Sequence, residues 1–307
     1  MDFKNFIAPK DHLKGKIIAV TGASDGIGAI ASTTFASYGA TVILVGRTVS
    51  KLEKIYDAIK LSGGATPGIY PICLEGASEQ DYQDMHDRFE ETFGHIDGLL
   101  HNAGVLGQRT PIANYKMESW KTVMQVNVSS PFMLTKALLP LLGKSENASI
   151  VFTTSGVGRV GKAYWGAYSI SKFATEGFSQ VLASELEGTS NIRVNCINPG
   201  PVRTRMRAVA FPAENPITIK TPEEIIASKF DELLSDYKDA IDDFSKVVPF
   251  KQKWNGLALS RKERQDGTKT ILINSSRAFE KSEIWCLNFD NKFFAFPGST
   301  VKSNMDA

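Results

Sequence analysis

The sequence predicts an α/β protein, a doubly wound parallel sheet with a divergent C-terminal extension. From Ile17 onward, short apolar, β-branched runs alternate with segments of helical spacing. The first of these runs ends in a glycine-rich turn that opens a helix. The 307 residues, 42% of them hydrophobic, are enough for one large α/β domain with an addition.

Ile17–Val20 reads as a buried strand running into Thr21, Gly22, Ser24, Gly26, Ile27 and Gly28, and then into a helix. Glycines where a strand becomes a helix let the backbone approach a pyrophosphate, and the helix N-terminus adds N–H donors and a favourable dipole. This is a nucleotide site in the right context. Ala40–Val45 is a second strand, ending at Gly46 and Arg47. An acidic residue at that point binds the ribose 2′-hydroxyl of NAD, whereas an arginine accommodates the 2′-phosphate of NADP. Gly46 and Arg47 favour NADP over NAD, although Asp25 would repel that phosphate unless it points away. Lys51–Ser62 and Glu79–Phe93 have helical periodicity and Gly68–Leu74 strand character, and these three are scaffold; Ile96–Leu100 is a fourth strand. Asn102, Ala103 and Gly104 follow, small residues and an amide at a strand's carboxyl end, where a nucleotide-lined crevice needs them.

Met117–Leu142 predicts one helix containing Pro131. Proline has no N–H, so the carbonyl of Asn127 loses its donor four residues on. Either the helix only kinks there, or that carbonyl holds a water for proton exchange. Ile150–Thr154 is a buried strand that breaks at Ser155 into a glycine-rich loop, and a long helix then places Tyr168 and Lys172 on one face. A free tyrosine titrates near ~10, and a cation held close favours the phenolate. Tyr168 is therefore read as a general acid or base, with Lys172 lowering its pKa and Ser155 hydrogen-bonding the substrate oxygen. The spacing alone also describes an amphipathic surface helix, so the companion motifs decide. Ile192–Ile197 is another strand, and Asn195–Thr221 is a Pro- and Gly-containing loop placed to cover the crevice as a substrate lid. Arg203, Arg205 and Arg207 within it are either solvated or the mark of an anionic or carrier-bound substrate.

Thirty-five Lys and Arg against 33 Asp and Glu leave a net charge of +2, which gives no basis for a nucleic-acid or membrane-surface partner. Small-molecule partners fit better. Cys73, Cys196 and Cys286 are far apart and form no CxxC pair, as expected of a reducing compartment without structural zinc. No run reaches the ~18 apolar residues of a membrane span, and a cytoplasmic location is expected.

Together, Thr21-Gly22-x-x-x-Gly26-x-Gly28, Asn102-Ala103-Gly104, Asn127, Ser155, Tyr168-x-x-x-Lys172 and Asn198-Pro199-Gly200 with Thr204 resemble the motif series of the classical short-chain dehydrogenase/reductases, in particular their bacterial 3-oxoacyl-reductase-like members. The resemblance covers about residues 13–225. It implies a Rossmann-type, NADP-dependent oxidoreductase that interconverts an alcohol and a carbonyl, and a homodimer or homotetramer. It implies that Tyr168 is the acid/base, that Lys172 lowers its pKa and binds the nicotinamide ribose, and that Ser155 orients the substrate carbonyl. Asn127 would hold the relay water and Thr204 the nicotinamide carboxamide, with Pro199 and Gly200 beside it. The alternative is a non-catalytic NADP-binding or regulatory protein on the same fold. Two residues depart from the pattern: His101 stands where asparagine is usual, and Cys73 where many members contact adenine through aspartate.

The expected division is an NAD(P)-binding domain at 1–225 and a divergent segment at 226–307. A helix is expected at Pro222–Asp239, then an insertion, then Lys292–Pro297 returning as a late edge strand beside Ile192–Ile197. The competing arrangement makes Thr270–Asn274, Ile284–Phe289 and Lys292–Pro297 a separate β-meander.

Overall fold

A computed structural model describes residues 11–226 and, farther along, the backbone of four strands at 257–263, 269–275, 283–288 and 292–297. The chain divides into two units, Met1–Asp236 and Tyr237–Ala307. The first is built on β1 (Ile17–Thr21), β2 (Thr41–Gly46), β3 (Gly68–Pro71), β4 (Gly98–His101), β5 (Ala148–Thr153) and β6 (Ile192–Ile197). All pair in parallel, in the order β3-β2-β1-β4-β5-β6. β1, β2, β4 and β5 are buried almost throughout, which is why they read as unbroken apolar runs.

The helices are α1 (Gly26–Ser37), α2 (Val49–Leu61), α3 (Glu79–Phe93), α4 (Met117–Met124), α5 (Ser130–Leu142), α6 (Gly166–Leu186) and α7 (Arg205–Ala210). One apolar core, with Phe35, Leu44, Leu52 and Val151, lies against α1 and α2. The other, with Tyr82, Phe89, Leu138 and Phe152, lies against α3, α5 and α6. The doubly wound architecture expected from the sequence is thus present. The strand order reverses between β1 and β4, so their carboxyl ends splay into a crevice there.

Three expectations need correction. Met117–Leu142 is not one helix, because a π turn at Gln125–Ser129 separates α4 from α5. Pro131, with no N–H to offer, falls in the first turn of α5 and the ladder widens just before it. The lid segment is not all loop, since it contains α7, capped by Thr204 accepting from the Arg207 N–H at 3.2 Å.

The third correction concerns the tail. Lys292–Pro297 does not extend the parallel sheet. It is β10 of a four-stranded antiparallel sheet with β7 (Leu257–Glu263), β8 (Lys269–Ser275) and β9 (Glu283–Asn288), in the order β10-β9-β8-β7. The separate meander is therefore the arrangement seen, with β7 as an unforeseen strand. Asn288 and Lys292 are four positions apart in the chain, so their antiparallel pairing has a small entropic cost, whereas pairing with β6 would close a loop of many tens of residues. Residues 222–226 are helical, and the rest of the helix expected to Asp239 lies outside the described residues. None of the described helices is long and apolar enough to cross a membrane.

Candidate active site

A cavity of about 600 Å³ opens at the carboxyl ends of the parallel strands. Its walls include Gly22, Ser24, Gly26, Ile27 and Arg47 at one end, Asn102, Ala103 and Gly104 along the middle, and Ser155, Tyr168 and Lys172 at the other. Pro199, Gly200 and Thr204 cover it. Fourteen of the residues singled out in the sequence thus converge on one space.

Thr21, Gly28 and Asn127 do not line this cavity; each stands behind a residue that does. The buried Thr21 hydroxyl donates to the Leu100 carbonyl at 3.2 Å and accepts the N–H groups of Asn102 and Ala103 at 3.0 and 3.1 Å. It therefore clips the end of β1 to the turn after β4. A Cβ at Gly28 would lie 2.3 Å from the Gly22 carbonyl oxygen and 2.7 Å from Asn102 Nδ2, so only glycine lets α1 start this close to the turn. Gly22 and Gly26 have φ of +68° and +51°, in the left-handed region where glycine is unstrained. Asn127 lies in the π turn, its side chain accepting from the Val105 N–H at 2.8 Å and donating to the Val105 carbonyl at 2.9 Å and to Ser171 at 3.0 Å. That holds the cavity wall after Gly104 in register.

The electrostatics of the dinucleotide end suit an anion. Arg47 makes no ion pair among the described residues, and it stands beside Thr48, the N-cap of α2. Asp25 lines the same end rather than pointing away, but its carboxylate accepts the Gly26 N–H at 2.8 Å and lies 3.4 Å from the Lys51 ammonium, which offsets part of its charge. The Thr154 hydroxyl, on the cavity wall and 2% exposed, is the one buried side-chain polar atom without a hydrogen-bond partner among the described residues. Such an orphan is what a site shaped for a ligand leaves when described without it. The residues present therefore fit a dinucleotide.

At the reacting end the expectation for Tyr168 needs correction. Burial holds its phenol above the usual tyrosine range, and a hydrogen bond from Ser155 pulls the other way. Lys172 does not bond the phenol. Its ammonium donates to the Thr153 carbonyl at 2.7 Å and lies 5.7 Å from the Tyr168 ring centroid. Burial brings Lys172 itself down to about 8. A phenol protonated at neutral pH, held by a serine hydroxyl, can give a proton to an oxygen placed between them.

His101 departs from the family pattern in a way the structure explains. Its ring stacks on Phe152 at 4.6 Å and its Nε2 pairs with the Thr135 hydroxyl at 2.8 Å, deep behind the site. Burial, helped by the Lys172 charge, lowers its pKa to about 3. The unfolded chain takes up this proton near 6.5 and the folded chain only near 3, so the stabilisation is complete above pH 6.5 and is lost as pH falls through that window. The slope approaches ~1.4 kcal/mol per pH unit for one proton. His101→Asn, which cannot titrate, is expected to flatten this part of the urea-unfolding profile; identical slopes for both proteins would reject the account.

Sequence reasoning missed the aromatic wall. Trp165 packs on Tyr168 and on Phe211, each at 5.8 Å between centroids, and the Arg109 guanidinium lies 4.7 Å from the Trp165 ring and 4.8 Å from that of Phe211. Nothing local announces these partners, which are brought together from three loops. α7 was legible in principle from Thr204 as an N-cap.

The short chain dehydrogenase family model matches residues 16–215. The chain belongs to this family. A relative is the oxidoreductase YciK of Escherichia coli K12, 51% identical over 217 residues, 71% of this chain and 85% of that protein. The 3-oxoacyl-[acyl-carrier-protein] reductase FabG of Thermotoga maritima is 32% identical over 213 residues, 69% of this chain and 80% of its own length. Among solved structures, a short chain dehydrogenase of Shigella flexneri 2a complexed with NADP is 48% identical with a TM-score of 0.73, covering 75% of this chain and 95% of that one. As a short chain dehydrogenase the chain is an oxidoreductase, and the cavity falls within the matched residues.

Proposed function

We propose that this chain is an NADP-dependent oxidoreductase that interconverts an alcohol and a carbonyl, with Tyr168 as the acid/base. One observation carries the reading: Ser155, Tyr168 and Lys172 share a single cavity with the glycine turn and Arg47. The NADP complex of the Shigella relative supports the choice of cofactor.

Gly22, Gly26 and the start of α1 would hold the pyrophosphate, Arg47 with Ser24 the 2′-phosphate, and Asn102 to Gly104 the middle of the dinucleotide. Lys172 would hold the nicotinamide ribose, and Pro199, Gly200 and Thr204 the carboxamide side. NADPH, when bound, supplies a hydride, two electrons and a proton nucleus, to the substrate carbon. Ser155 donates a hydrogen bond to the substrate oxygen. Tyr168 gives that oxygen its proton, so the carbonyl becomes an alcohol and the phenol a phenolate, which keeps the hydrogen bond from Ser155. Asn127 keeps Val105 and the turn after Gly104 in place, and the π turn around it is where a relay water would restore the proton from solvent. The test is NADPH oxidation over a panel of ketones and aldehydes. Cofactor binding without turnover of any of them would favour the non-catalytic reading instead.

We read the enzyme as cytoplasmic from its three widely spaced cysteines, which form no CxxC pair, and as a homodimer or homotetramer. Phe132 on α5, and Phe173 and Val181 on α6, are 53%, 44% and 57% exposed on a single chain, an apolar face that a second copy would cover. Light scattering at micromolar concentration is expected to give a dimer or tetramer mass; a monomer mass would count against this face as an interface.

A further inference from the structure

The closely spaced arginines of the lid suggest an anionic substrate, yet among the described residues only Arg205 of the three both lines the cavity and stands without an ion pair or ring contact. Arg207 forms a two-point pair with Glu214, both contacts at 2.6 Å, and lies 3.7 Å from the Phe211 ring. Arg109 is sandwiched between Trp165 and Phe211 and donates to the Ala210 carbonyl. Arg203 does not line the cavity. Arg205 follows Thr204, whose methyl would lie 3.3 Å from a Cβ on Gly26, so this first turn of α7 stands over the dinucleotide end.

What remains around the reacting groups is apolar. Met206, Val209 and Ala210 fall at i, i+3 and i+4 on one face of α7 and line the cavity. Trp165, packed on Tyr168, continues this wall, and Val105 and Leu106 enclose it from the other side. From these contacts we infer that the substrate end takes a neutral, hydrocarbon-bearing carbonyl compound, and that Arg207 and Arg109 brace its wall rather than bind substrate. A carboxylate entering beside Met206, Val209 and Ala210 would shed its water, and Arg207, the arginine next to them on the wall, is already paired with Glu214. The inference rests on the oxidoreductase reading for the orientation of the cleft.

The test measures binding without turnover. Acetophenone and its charged counterpart 4-acetylbenzoate are titrated by ligand-observed NMR against the full chain saturated with NADP⁺. Acetophenone is expected to bind at least about tenfold more tightly, the worth of leaving one carboxylate poorly compensated. Val209 is 67% exposed, so Val209→Arg places a cation on the wall at little cost to folding, and it is expected to raise 4-acetylbenzoate affinity several-fold. Equal or tighter binding of 4-acetylbenzoate to the parent protein, no binding of acetophenone, or indifference of both compounds to Val209→Arg would each overturn the inference. Acetophenone binding as expected, with no NADPH oxidation by any carbonyl of the panel, would count against the oxidoreductase reading while leaving the apolar subsite standing.

Discussion

Tyr168→Phe is expected to lower turnover by about 10²–10⁴-fold, the usual worth of a positioned acid or base, while leaving NADP affinity within a few-fold. The substitution removes one oxygen and keeps the ring. Tyr168 is 8% exposed and its ring packs on Trp165, so phenylalanine fills the same space. The phenol's hydrogen bond from Ser155 is lost, but the serine faces the cavity and finds water instead. Steady-state rates together with a cofactor titration separate the outcomes. Near-normal turnover would remove Tyr168 from its role, whereas a parallel loss of NADP binding would point to a damaged fold.

Arg47→Ala is expected to weaken NADP by roughly 10- to 150-fold and to leave NAD nearly unchanged, since a charge-assisted hydrogen bond to phosphate contributes about 1.5–3 kcal/mol. The side chain is exposed, so the effect falls toward the lower bound at physiological salt and grows when salt is withdrawn. Asp25, which lines the same end, is offset in part by the Gly26 N–H and Lys51. Fluorescence titration of both cofactors is decisive: equal affinities for NADP and NAD in the parent protein would overturn the assignment.

The parallel sheet was legible because its strands are buried on both faces. Ile17–Thr21, Thr41–Gly46 and Ala148–Thr153 appear in the chain as apolar runs with glycine or polar stops, alternating with helical spacing. The site was legible for a related reason, since glycines and a Tyr/Lys pair are tied to short, local geometries. What depends on distant partners was not. FFAF looks the same whether it pairs with β6 or β9, and the choice falls to loop closure, which composition does not display. Tyr168 and Lys172 share a helix face, yet the ammonium turns to the Thr153 carbonyl on β5, a bond that helical spacing cannot foretell. The widened turn at Gln125–Ser129 was half legible, since Pro131 signals a missing donor but not whether the helix bends or expands.

The position of Arg109 bears on how Tyr168 is seated. Its guanidinium lies against rings from two separate segments, and one of those rings leans on Tyr168. The α7 segment therefore cannot swing away without disturbing Trp165, and with it the phenol's seating. On the proposed reading, an outward shift of this segment would move Trp165 against Tyr168, so the phenol keeps its seat only while Arg109, Trp165 and Phe211 stay stacked.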